Sequence, residues 1–145
     1  MLVKIIKKDE ELINIEDLIN HIKKSPYIDE SGAIFTFEGI VRGKEAESKV
    51  EKLILSTPDH DKTENDLKII LEEVKEKYSI KEIAVVHYLG EFYTGDPLFL
   101  VAVAGAHRQE TLEALKEIIE RTKFDLKFQK DEFTNQGTNI IMSGG

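Results

Sequence analysis

Two runs of branched and apolar residues, Glu82 to Tyr88 and Leu98 to Ala104, follow one another with a turn-rich stretch ending in Gly95-Asp96-Pro97 between them. Gly and Pro there interrupt regular structure, so the runs read as directly consecutive strands. The pattern repeats earlier, where Gly32 to Arg42 (GAIFTFEGIVR) is β-rich and Val50 to Leu55 reads as the next strand. Leu2 to Lys7 forms a short first strand, Leu126 to Phe133 alternates as a later one, and Asn139 to Met142 is the last. Three helices interleave with them. Ile15 to Lys24 has Asn14 as its N-cap and Pro26 just beyond its end. Asp61 to Tyr78 carries Leu67, Ile70, Leu71 and Val74 at helical spacing, and Gln109 to Lys123 is the third. Strand pairs joined without an intervening helix favour an α+β fold with mostly antiparallel sheet over a doubly wound parallel one. Residues 1–145 show no repeat, low-complexity segment or linker, which predicts a single domain.

Composition excludes several classes of function. A net charge of −8 argues against a general basic surface for nucleic acid, though not against a local cationic pocket. No run approaches the roughly 20 apolar residues of a membrane span, and Met1 to Ile6 is followed at once by charge. A cytoplasmic location, away from any membrane, is therefore expected. There is no cysteine, so any sulfur handled by this chain has to arrive on a partner. Among 20 basic residues only Arg42, Arg108 and Arg121 are arginine. In a lysine-rich background, an arginine suggests a planar, two-pronged contact with phosphate or carboxylate.

His107 and Arg108 sit where a strand gives way to a helix, and the N–H groups and dipole of a helix start attract anions. A capping histidine beside a surface arginine would produce the same pattern. On a helical wheel Arg108, Leu112, Leu115, Ile119 and Lys123 fall on one apolar stripe. In the next strand Lys130 shares a face with Leu126, Phe128 and Glu132, the carboxylate lying about 7 Å along. A desolvated lysine has a depressed pKa and offers a neutral amine as nucleophile or base. A snorkelling helix-end lysine and a protective edge-strand lysine are the plainer accounts. Arg42 ends its strand beside Gly39 and Gly43, which permit close backbone approach. His21 and His60 read as surface residues and His87 as a hydrogen-bonded core histidine. No metal-ligand spacing occurs, so no metal site is expected.

Arg108 and Lys123 stand fifteen residues apart in the sequence, about 22 Å along a helix axis. Two long side chains and an extended substrate could just span that gap, but one compact site served by both is more easily built with a second copy of the chain, which predicts a two-fold homodimer.

The blocks Gly32 to Arg42, His87-Tyr88-Leu89-Gly90-Glu91 with Gly95-Asp96, and Ala106-His107-Arg108, with Lys123, Lys130 and Glu132 following in register, resemble the large, catalytic subunit of molybdopterin synthase, the MoaE family. The resemblance covers residues 30–137, roughly. It implies an α/β hammerhead with additional, mostly antiparallel sheet, and a central dimer with a small ubiquitin-like sulfur-carrier subunit at each end, a heterotetramer. It further implies a sulfurtransferase that turns cyclic pyranopterin monophosphate into the dithiolene of molybdopterin, with sulfur from the carrier's C-terminal thiocarboxylate and no bound cofactor. Carried over, Lys123 and Lys130 are the catalytic pair. Arg42, His107 and Arg108 hold the phosphate and pterin, and Ile40, Val41, Asp131 and Glu132 complete the pocket. Lys127-Phe128-Gln129 and Ser56-Thr57-Pro58 depart from the family's usual residues. A relative that only docks a carrier or binds the pterin is the rival reading. Ubiquitin-like sulfur carriers end in Gly-Gly, so another rival, a carrier role for this chain, arises from the terminal Ser143-Gly144-Gly145.

Overall fold

A computed structural model describes residues 1–142, so the terminal Ser143-Gly144-Gly145 lies outside it. In chain order it contains β1 (Leu2–Lys7), α1 (Ile15–Lys23), a 3-10 turn (Ile28–Glu30), β2 (Ala33–Ile40), β3 (Lys44–Glu45), β4 (Ser48–Ser56) and α2 (His60–Lys77). There follow β5 (Glu82–Phe92), β6 (Pro97–Gly105), α3 (Arg108–Asp125), β7 (Gln129–Thr134) and β8 (Gly137–Met142). The strands form one sheet in the order β2-β6-β5-β4-β7-β8, with β1 added to β5 and β3 to β4. The path is antiparallel throughout, matching the α+β expectation. The exception is β1, which runs parallel to β5 from Leu2↔Ala84 to Lys7↔Leu89.

Ile83 to Leu89 are all buried, as strands flank β5 and helices pack on the sheet. Helix α1 lies over β5 and β6, α2 over β1 and β5, and α3 over β2 and β6. Asn14 caps α1 by accepting from the Asp17 N–H at 2.9 Å, and the Asp17 carboxylate accepts from the Asn14 N–H in return. Among the described residues no helix is long and apolar enough to cross a membrane.

Of the two histidines expected at the surface, His60 is exposed although its ring also reaches β1, and His21 is not. His60 Nε2 hydrogen-bonds the Ile5 carbonyl, and the Glu64 carboxylate accepts from the Ile5 N–H at 2.9 Å. Side chains of α2 thus satisfy polar groups of β1, a strand that among the described residues pairs only with β5. The contact with Ile5, then Asp61, holds the His60 imidazole above its ordinary pKa. His21 is half-buried, and its Nε2 is enclosed without a hydrogen-bond partner among the described residues.

The β6–α3 junction depends on a glycine. A Cβ on Gly105 would stand 2.2 Å from Thr111 Oγ1, and that hydroxyl already donates to the His107 carbonyl at 2.5 Å. Gly105→Ala is therefore expected to destabilise the protein by about 1–3 kcal/mol through overpacking. Denaturant titration checks this; an unchanged midpoint would show that α3 shifts freely.

Candidate active site

Strand register builds two short rows of side chains. Gly39 of β2 pairs with Phe99 of β6, which pairs with His87 of β5. Leu55 of β4 pairs with Lys130 of β7, which pairs with Ile141 of β8. These rows, with Ile119, Thr122 and Lys123 from the last turns of α3, line a cavity of about 250 Å³. Phe37, Ile40, Leu98 and Phe128 complete its walls. Gly39 keeps the wall thin, since a Cβ there would press on the Phe37 ring at 3.2 Å.

The walls are mainly apolar, and two amines enter them. Burial holds the Lys130 amine below the ordinary lysine range; Glu132 opposes the shift, Lys123 and Arg42 add to it, and Glu45 opposes it. The same interactions place Lys123, Arg42, Glu132 and Glu45 within electrostatic reach of one amine. Lys123 is exposed at the C-terminal end of α3, 5.8 Å from the Phe124 ring centre. Glu132 is buried at 6% exposure. His87 is neutral: burial lowers its pKa to about 4, and its Nδ1–H donates to the Tyr88 carbonyl at 3.1 Å. Its ring stacks on Phe128, with centroids 4.2 Å apart and planes 14° off parallel.

The expected site residues divide into two groups. Ile40, Lys123 and Lys130 line the cavity, with Arg42 and Glu132 near Lys130. Arg42 lies beyond the end of β2, largely exposed, with its guanidinium 3.4 Å from Glu45. Val41 contributes backbone, its N–H donating to the Asp96 carbonyl at 3.0 Å and its own carbonyl accepting from Gly95 at 2.8 Å. Asp131 is on the face of β7 opposite Lys130 and accepts from the Gln129 amide at 2.9 Å. His107 and Arg108 are exposed at the far end of α3, where the Glu110 carboxylate accepts from the His107 N–H at 2.5 Å. Within one chain they do not join the lysines.

The apolar stripe expected on α3 is rotated in the structure. Thr111, Ala114, Leu115, Ile118 and Thr122 face inward, while Leu112 is half-exposed and Lys123 lies at the margin. Strand β7 starts at Gln129 rather than Leu126, because Leu126 and Phe128 turn into the core ahead of it. His87, Phe128 and Thr122 were not identified as cavity residues from the sequence. The stacked His87–Phe128 pair depends on a juxtaposition of β5 and the segment before β7 that no local pattern encodes.

A polar molecule entering such a space meets flat aromatic walls, one amine more ready than usual to lose its proton, and cationic groups that favour anions. That combination suits acid–base or nucleophilic chemistry on an anionic group.

The family model described as MoaE protein matches residues 8–125. The chain is 32% identical over 135 residues to a molybdopterin synthase catalytic subunit of Pyrococcus abyssi, covering 93% of this chain and 87% of that relative. It is 34% identical over 115 residues to the protein of the same description from Escherichia coli, covering 78% and 75%. Among solved structures it resembles molybdopterin synthase from Staphylococcus aureus, with a TM-score of 0.81, 25% identity and 96% of each chain covered. Its fold also resembles a chain in the complex of subunits 1 and 2 of the molybdopterin-converting factor from Helicobacter pylori, with a TM-score of 0.67, 24% identity, and 93% and 86% covered.

Proposed function

The chain belongs to the MoaE family, the catalytic subunits of molybdopterin synthase, and from that premise we propose that it transfers sulfur from the C-terminal thiocarboxylate of a small ubiquitin-like carrier to cyclic pyranopterin monophosphate. The observation that carries the reading is the pairing of Lys130, half-buried with a lowered pKa, with Lys123 on one apolar cavity. The chain has no cysteine, so carrier-borne sulfur fits its composition. The cationic surroundings attract the thiocarboxylate, and the apolar walls exclude water that would hydrolyse an activated acyl group. Lys123, nearest the carrier terminus, acts as nucleophile or general acid/base. Lys130, more easily deprotonated, positions substrate or moves protons. Arg42 binds phosphate, with His107 and Arg108 supplied by a second copy of the chain. Ile40, Val41, Asp131 and Glu132 complete the pocket. The working assembly is a homodimer with a carrier at each end, in the cytoplasm, and it needs no bound cofactor.

Reconstitution with a thiocarboxylated carrier and the cyclic pterin tests this reading. Dithiolene should form in a carrier-dependent way, two carriers being consumed per product. No product from this chain, under conditions where the Escherichia coli catalytic subunit yields it, would overturn the proposal.

A further inference from the structure

Thr122 carries a hydroxyl that none of the described residues uses. Its side chain is 1% exposed, lines the cavity, and has no hydrogen-bond partner for Oγ1 among the described residues. Leaving a buried hydroxyl unmatched is costly, and a valine of nearly the same shape would avoid the cost. The neighbouring inward positions of α3, Ala114, Leu115 and Ile118, are apolar. Thr122 and Lys123 line the same cavity, so a molecule seated beside that amine comes within reach of the Thr122 side chain.

The cavity indicates what that group is. Besides the two lysines, its polar side chains among the described residues are Thr122 and His87, and His87 Nδ1 is occupied by the Tyr88 carbonyl. Away from the lysines, these walls would leave most of the donors and acceptors on a pterin's edge unmatched. An extended glycine tail is slim, presents one main-chain N–H and carbonyl per residue, and ends in an anionic group that the lysines attract. A hydroxyl both donates and accepts, so it can serve either main-chain group.

Resting on the functional reading above, we infer that the Thr122 hydroxyl hydrogen-bonds the main chain of the carrier's C-terminal tail and so seats the tail's terminal carbonyl beside Lys123. Thr122 is then a positioning residue for sulfur transfer, and its hydroxyl is satisfied only when the tail is bound.

The test compares wild type, Thr122→Val and Thr122→Ser in binding the carrier that supports dithiolene formation in reconstitution, intact and with its last two glycines removed. Thr122→Val should bind intact carrier roughly three- to tenfold more weakly, the loss of one ordinary hydrogen bond. It should bind the shortened carrier as wild type does, and its thermal midpoint should stay level or rise. Thr122→Ser should restore tight binding. Unchanged affinity of Thr122→Val for intact carrier, or an equal loss for both carrier forms, would overturn the inference while dithiolene formation by wild type left the functional reading standing. Failure of wild type to form dithiolene with any carrier would remove both.

Discussion

Lys130→Met is expected to reduce dithiolene formation by about 10²–10⁴-fold, the range of a lost acid–base group, while raising rather than lowering the thermal midpoint. Both effects come from one cause. Burial depresses the Lys130 pKa, so the folded protein tolerates the ammonium less well than the unfolded chain does. Methionine has similar length without the charge. The sign of the pH dependence follows. Between the lowered folded value and the ordinary 10.5 of an unfolded lysine, the unfolded chain binds the extra proton. Wild-type stability relative to Lys130→Met therefore rises with pH through that window, and the deficit is full below it. Activity, if it needs the neutral amine, rises with pH on a limb below the usual lysine range. Lys130→Arg should not rescue it, because a guanidinium stays charged. Thermal unfolding of the pair across pH, beside single-turnover rates, checks both halves. A lower midpoint for Lys130→Met throughout would mean that the charge is well paired in the fold and that the proposed trade of stability for reactivity is wrong.

The strands were legible because their signals are local. Glu82 to Tyr88 and Leu98 to Ala104 lie within β5 and β6, and the glycine-bearing turn between them falls where expected. The parallel pairing of β1 with β5 was not legible, since Leu2 to Lys7 offers apolar residues on both faces to any open edge. Helix α3 shows a different limit. Its large residues Leu112 and Ile119 helped define the expected stripe, yet Gly105 lets the helix start close to the sheet, and the buried face carries the smaller Thr111, Ala114 and Thr122 beside Leu115 and Ile118. Threonine counts as polar in a sequence pattern, so the rotation was hidden. Lys123 consequently reaches the cavity from the helix margin rather than from its centre. Lys130 was readable, because strand alternation within β7 sets it on one face with Glu132. The cavity was not, for it requires Gly39, Phe99 and His87 to align across three strands and Leu55 and Ile141 to flank Lys130.

Mixing Arg108→Ala with Lys123→Ala chains is expected to recover activity that neither variant has alone. Arg108 opens α3 and Lys123 lies near its end, about 22 Å away for a straight helix. Lys123 borders the cavity, whereas Arg108 and His107 face solvent at the other extremity. An arginine that binds substrate must come within hydrogen-bonding distance of it, and this one cannot reach its own chain's cavity across the length of the helix. A two-fold dimer that sets the start of one α3 against the end of the other removes the difficulty. Random reassortment of equal amounts makes half the dimers mixed, and each mixed dimer has one site with both residues intact. The mixture should then show about a quarter of wild-type activity, set by symmetry alone. Refolding or co-expressing differently tagged chains and purifying the doubly tagged species should raise this to about half. Two results would count against the shared site, and they mean different things. Full activity of Arg108→Ala by itself would remove Arg108 from substrate binding. Inactive single variants whose purified mixed dimer is also inactive would place both residues in a site formed within one chain, and α3 would have to bend or the substrate extend along it.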